Sequence, residues 1–373
     1  MDSFMWAGLL FVSVFLVGRL LERIRIPWLF SALLIGAALS FSGMGKMPGW
    51  MSTLSSIGLY MMLFMIGMEL NLKELEKHSG SILKATLMIE LSEAALVSAF
   101  IHFMFSQPWS TSIVLALSFA TVGEAILLPI LDEFRITKKK IGQLILGIAA
   151  LDDLIEILTF ALLALVMGKA GGATSSFEAL TAIAVVSFFI IRTHEARMFR
   201  FMPVESLFLL AIGILFVFLG IGRPADVAAL SALVAGAVVR MVMPDSTFKA
   251  IERETRGLTY GFFGTLFFLS VGMGIDFSAL GSDVLLFLGL SALSIFGKVS
   301  GSIMALRKEI GIRKALFTGI ALSARFSTSI VIVAVMRNAG IISSSLYSTM
   351  IAASILFQFI VPWLISETAK RLL

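Results

Sequence analysis

The sequence predicts an all-α polytopic membrane protein with thirteen transmembrane helices. Three observations carry that prediction. Of its 373 residues, 58% are hydrophobic and only 14% are charged, against about 25% charged in an average soluble domain. Apolar runs of roughly 20 residues recur, long enough to cross a bilayer core of about 30 Å. Lys and Arg alternate from one connection to the next as the positive-inside rule requires. Together these exclude a cytosolic enzyme and a disordered chain, and the absence of cysteine excludes a disulfide scaffold and thiolate metal sites.

The spans follow from apolar windows set between charged or Pro/Gly-rich breaks. They run approximately over 4–21, 27–44, 53–70, 84–105, 111–131, 142–167, 178–192, 203–221, 226–243, 258–275, 283–305, 315–336 and 344–366. The first apolar run begins the bundle without a small-residue cleavage site, so no signal peptide is expected. The whole chain, 1–373, reads as one membrane domain. Only Lys46, Lys169, Arg223 and Arg337 fall in connections on one side, while Lys298 and Arg325 lie inside spans. The rest of the 29 basic residues fall on the other side. The expected orientation is N-terminus outside and C-terminus cytoplasmic, in a cell membrane and most simply a prokaryotic inner membrane. The formal charge of +5 thus reports topology, and no nucleic-acid partner is implied. Trp6, Trp28, Trp50, Trp109 and Trp363 sit at or near span ends, as interfacial anchors do. Three scattered histidines make no metal site.

Ionisable groups within a span are expensive and mark function, a central Asp or Lys costing about 2.5–3.5 kcal/mol on insertion scales. The sixth span, LILGIAALDDLIEILTFALLALVMG, places Asp152, Asp153 and Glu156 near mid-membrane on one broad side of a helix. Three carboxylates there cannot all ionise without a cation, which points to a cation or proton site. The eleventh span carries Lys298 in its inner half. It either snorkels to the surface or pairs with Asp152 or Asp153, and the acids' need for a counter-charge favours the pair.

Two spans look interrupted. The fifth, STSIVLALSFATVGEAILLPIL, holds Ser118, Thr121, Gly123, Glu124 and Pro129. The twelfth, ALFTGIALSARFSTSIVIVAV, holds Ser323, Arg325, Ser327, Thr328 and Ser329. Unwound backbone at membrane depth is tolerated where it lines a cavity or is buried in protein. Spans 5 and 12 are separated by an odd offset and run in opposite directions. The same offset relates spans 4 and 11, and spans 6 and 13, as an inverted repeat requires.

At these residues the chain resembles the monovalent cation:proton antiporter family that includes NapA-type sodium/proton antiporters and Kef-type potassium efflux systems. The resemblance covers nearly the whole length. Its most specific piece is Asp152-Asp153 in ILGIAALDDLIEIL. IPWLFSALLIGAALS, GMELNLKEL at 67–75, GMGIDFSAL at 272–280 and GKVSG around Lys298 support it. It implies a NapA/NhaA-like fold with inverted repeats and two crossing broken helices. Core helices would occupy about 84–167 and 283–366, and the remaining helices would serve as scaffold and dimer contact. It further implies that Asp153 alternately holds a cation or protons, that Asp152 neighbours it and pairs with Lys298, and that Thr121 is the polar group of the fifth-helix break. Asp153, Asp152 and Thr121 would be the ligands of a transported Na⁺.

The chain departs from that family at two places. Many relatives carry Gly-Glu after the twelfth-helix arginine, where this chain has Phe326-Ser327, and Glu124 stands where a small or apolar residue is usual. A compensating Glu124–Arg325 pair is therefore expected, with Glu156 and Ser327 as further polar groups of the ion path. The function so implied is exchange of a monovalent cation, Na⁺ first and then Li⁺, for protons without a bound cofactor. In this cycle two protons trade for one cation and Lys298 releases one of them. The alternatives are a Kef-type K⁺/H⁺ antiporter, a cation channel and a sodium-coupled symporter. A membrane enzyme finds no serine–histidine or metal-ligand spacing in the spans.

Overall fold

The computed structural model describes residues 3–24, 26–44, 47–69, 80–122, 127, 131, 136–137, 139–171, 173–193, 203–225, 227–325 and 327–372. Among these residues there are helices and no strands, as the apolar composition requires: in lipid every backbone polar group must be satisfied within its own segment. Six helices are long and apolar enough to cross a membrane, and four shorter apolar helices join them. The all-helical membrane class is therefore the one expected.

The elements in chain order are α1 (Ser3–Arg23), α2 (Phe30–Phe41), α3 (Gly49–Glu69), α4 (Gly80–Phe105), α5 (Trp109–Ala120), α6 (Lys140–Gly171), α7 (Ala173–Thr193) and α8 (Val204–Gly222). They continue with α9 (Ala228–Val242), α10 (Asp245–Leu258), a π-helical turn (Thr259–Gly264), α11 (Thr265–Met273), α12 (Phe277–Ser282) and α13 (Val284–Ile310). The last three are α14 (Ile312–Ala321), α15 (Ser327–Asn338) and α16 (Ser344–Leu372). Two features separate this order from a simple list of spans. The twelfth span is split into α14 and α15, and connections contain helices of their own, such as the charged α10.

The described chain falls into two units, one of residues 1–46, 72–160 and 271–373, the other of residues 47–71 and 161–270. In the second unit, α3 packs on α9 across glycines on both helices. A Cβ at Gly67 would stand 2.0 Å from the Leu233 carbonyl oxygen, and one at Gly236 would stand 2.0 Å from that of Phe64. Such small-residue contacts let helix backbones approach where no hydrophobic force between helices exists. Arg256 of α10 closes this unit's polar edge by donating to Glu69 at 2.7 Å and Glu252 at 2.8 Å.

The first unit holds every described group of the candidate site. Its spine is α4 packed along α13, with α14 and α16 against α13, and α5 against α4 and α15. Glycine again sets the spacing. A Cβ at Gly297 would lie 2.7 Å from Glu93 Cα, and one at Gly301 would lie 2.8 Å from Ser92 Cβ and 3.0 Å from Ile89 Cα. Gly297 immediately precedes Lys298, so the close approach of the backbones decides what the lysine meets. We expect Gly297→Val to push α4 from α13 at a cost of about 1–3 kcal/mol, the usual range for overpacking. Thermal unfolding in detergent measures that cost, and unchanged stability with unchanged transport would refute the spacing role.

Candidate ion-exchange site

The fifth-span break is real and begins where the polar residues begin. Helix α5 ends at Ala120, and Thr121 takes an extended conformation with φ −59° and ψ 143°. Leaving the helix frees backbone groups that a buried segment must satisfy elsewhere. The Val122 N–H donates to Asp152 Oδ2 at 2.5 Å, and the Ala120 carbonyl accepts from Lys298 Nζ. The Thr121 hydroxyl donates to the Ser118 carbonyl at 2.9 Å, which leaves its oxygen lone pairs available. The break therefore ties α6 and α13 to one point, with Asp152 of α6 only 2% exposed.

The break in the twelfth span lies between Ala321 and Ser327. Arg325 occupies it and is 1% exposed. Its guanidinium donates through Nη2 to Glu93 Oε1 and Ser294 Oγ. It lies over the adjoining rings of Phe119, 4.1 Å away, and Phe357, 4.5 Å away, while Gln358 donates to its carbonyl oxygen. Just beyond the break, Thr328 donates to Glu156 Oε1 at 2.9 Å, which ties α15 to α6. Of the expected residues, Asp152, Thr121, Glu156, Lys298 and Arg325 are thus gathered around the two breaks in one unit. Asp153 and Ser327 lie in α6 and α15, their side chains outside the described set, and Glu124 lies outside the described residues.

Two partners differ from expectation. Lys298, fully buried, donates to Glu90 Oε1 at 2.5 Å and stands 3.5 Å from Glu93 Oε2; the carboxylates it meets among the described residues are those of α4. Asp152 acts on Lys298 and Glu90 through space. The cause is the Gly297 contact, which brings α4 closer to the lysine than α6. Arg325 likewise takes Glu93 as its carboxylate, and the expected Glu124 partner is a residue outside the described set. Sequence reasoning passed over Glu90 and Glu93. Their signal was present in LMIELSEAALV, two acids at i, i+3 within an apolar run, the pattern that singled out the sixth span.

The arrangement carries an imbalance. Glu90, Glu93 and Asp152 are three buried carboxylates, and Lys298 and Arg325 are two buried cations. Arginine stays protonated in proteins, so Glu93 is permanently matched. Among the described residues the buried acids thus outnumber the buried cations by one, and a buried charge without a counter-charge is costly enough that a group neutralises instead. A proton or a monovalent cation would remove it, and neither can do so while the other is in place.

Comparison with known proteins agrees with that chemistry. Residues 10–367 match the family described as sodium/hydrogen exchanger, transmembrane. A Na⁺/H⁺ antiporter of Enterococcus hirae is 23% identical, the match covering 97% of each chain. The Na⁺/H⁺-K⁺ antiporter GerN of Bacillus cereus is 22% identical over 98% of this chain and 96% of its own. A longer relative from Bacillus subtilis, YjbQ, is 23% identical over 96% of this chain, which spans 62% of its length. Among solved structures, the sodium proton antiporter MjNhaP1 from Methanocaldococcus jannaschii superposes with a TM-score of 0.67 at 16% identity, covering 99% of this chain and 98% of that one. At that identity the likeness concerns the fold.

Proposed function

We infer the function from one premise: the chain belongs to the sodium/hydrogen exchanger family. It is a multi-pass membrane antiporter that exchanges a cation for protons, and not an enzyme. We propose that the cation is Na⁺, with Li⁺ also accepted, and that it binds at Asp152 and Asp153 beside Thr121. The observation that supports this site is the buried Asp152 carboxylate held by the Val122 N–H where the fifth-span break, beside the Thr121 hydroxyl, meets α6. Carboxylate, hydroxyl and carbonyl oxygens are the hard ligands a small hard cation prefers.

In the proposed cycle, cation and protons compete for the same negative charge. With no cation at the aspartates, protons and the Lys298 ammonium neutralise the cluster. When the cation binds, two protons leave for one cation, so each turnover moves one net charge, worth about 2.3 kcal/mol per 100 mV. We place the cycle in a thirteen-span, inverted-repeat topology with the N-terminus outside and the C-terminus cytoplasmic. The core helices, about 84–167 and 283–366, carry the site through alternating access, and the remaining helices serve as scaffold and homodimer contact. Glu124, Glu156 and Ser327 line the ion path in this reading.

Everted membrane vesicles test it. After a proton gradient is established, added Na⁺ should release protons, and Li⁺ should do so less strongly. A response to K⁺ as strong as to Na⁺ would move the assignment to the K⁺/H⁺ class, a reading favoured by GerN, whose name carries both cations. Solid-supported-membrane currents should follow a Na⁺ jump. Proton movement without net charge would refute the two-for-one ratio, and no cation-dependent proton movement would refute exchange.

A further inference from the structure

We propose that Glu90 carries one of the two exchanged protons, while Lys298 stays protonated and moves its ammonium between Glu90 and the aspartates. This rests on the exchange reading above and assigns the second proton to a carboxylate of α4, where the sequence alone suggested Lys298.

The two acids of α4 stand in different surroundings. Glu93 is held by Arg325 and Ser294 through one oxygen, with the ammonium 3.5 Å from the other. Its arginine partner stays charged throughout the cycle. Glu90 has no such partner. Its Oε1 faces Lys298 at 2.5 Å, and its Oε2, like that of Glu93, is buried with no hydrogen-bond partner among the described residues. An orphaned oxygen is costly for an anion, and of the two acids only Glu93 has a guanidinium beside it among the described residues, so Glu90 is the one suited to be neutral for part of a cycle. Among the described residues, the charged groups facing Glu90 are Glu93 on its own helix, Lys298 from α13 and Asp152 from α6. Helix α5, the other neighbour of α4, has no titratable side chain and offers the Ala120 carbonyl to the same ammonium.

One mobile cation therefore serves two carboxylate positions. When the transported cation occupies the aspartates, it takes the ammonium's place there, and the ammonium stands at Glu90, which is an anion. When that cation leaves, the ammonium is drawn toward the aspartates. Glu90 then loses its counter-charge at membrane depth and takes a proton from the water on the open side, forming an O–H bond. The returning cation displaces the ammonium back to Glu90, whose proton returns to water. The second exchanged proton belongs to Asp153. No lysine deprotonation is needed.

The test uses the full chain reconstituted in liposomes. For the wild type, the apparent KM for Na⁺ should steepen on acidification with a slope of log KM against pH near two, since that slope counts coupled protons. Glu90→Gln should keep Na⁺-dependent proton exchange, while the slope falls to about one and the current after a Na⁺ jump is lost. Lys298→Arg should keep the steep slope, because arginine does not deprotonate. Glu90→Gln protein with wild-type slope and current would overturn the assignment. Wild-type protein without any exchange would instead remove the underlying reading, and this one with it.

A measurement on unmodified protein covers the case of a Glu90→Gln chain that does not fold. A hydrophobic carbodiimide, which reacts with neutral carboxyl groups, should label Glu90 increasingly on acidification and less in Na⁺, with Glu93 unlabelled. Glu90 unlabelled at every pH, or labelled no more than Glu93, would overturn the assignment.

Discussion

Asp153→Asn protein is expected to insert and fold normally and to show no proton movement on addition of Na⁺. Asparagine preserves the shape of the side chain and removes both its negative charge and its titration. A cation in a low-dielectric site then loses an anionic ligand, and the proton loses its binding group, so both halves of the competition disappear together. The loss should exceed the roughly 10–100-fold typical when a group behind a metal ligand is removed. Everted vesicles report the flux, and detergent thermal unfolding shows that the protein is intact. Asp152→Asn should be milder. Asp152 Oδ2 accepts the Val122 N–H at 2.5 Å, and an amide oxygen can accept the same bond, so the fifth-span break keeps its anchor. Normal exchange in folded Asp153→Asn protein would remove the aspartate site from the mechanism.

Arg325→Gln should be among the most destabilising single changes in the chain. It strands Glu93, which is fully buried and bonded to Arg325 and Ser294. Removing one partner of a buried ion pair costs about 3–5 kcal/mol because the other charge is left uncompensated. The guanidinium's contact with the rings of Phe119 and Phe357 is lost too, a cation–π contact worth about 2 kcal/mol where desolvated. Adding Glu93→Gln to Arg325→Gln should recover much of the stability, since an amide pair leaves no buried charge. Recovery would be incomplete because the ring contacts do not return. Thermal unfolding of the two single variants and the double variant forms a mutant cycle. Effects that merely add would reject the pair. The same cycle with Glu124→Gln compares the partner the structure describes with the one the sequence suggested.

The breaks, the acids of the sixth span and the buried basic residues were legible because each is a local event. A polar or helix-breaking residue within an apolar run conflicts with its neighbours whatever the rest of the fold does. Thr121 in the fifth span and Arg325 in the twelfth announce themselves in this way, and helix stops precede both. Thr328 bonding Glu156 was half legible, since each residue was conspicuous in its own span and the contact between them was not. Glu90 and Glu93 were equally local signals, yet they were overshadowed by the denser Asp152-Asp153-Glu156 cluster.

The sequence by itself determined the all-helical membrane class, through apolar length and the paucity of charge. It also determined where helices must stop, through polar and Pro/Gly positions at membrane depth. Only the tertiary structure decided which charges meet. Lys298 bonds Glu90, and Gly297 and Gly301 let α4 lie against α13 there. Arg325, in the break of the twelfth span, matches Glu93 of α4. Pairing in a low dielectric is decided by ångströms of separation, and those separations come from backbone packing among helices distant in the chain, which residue types read along a single span do not encode.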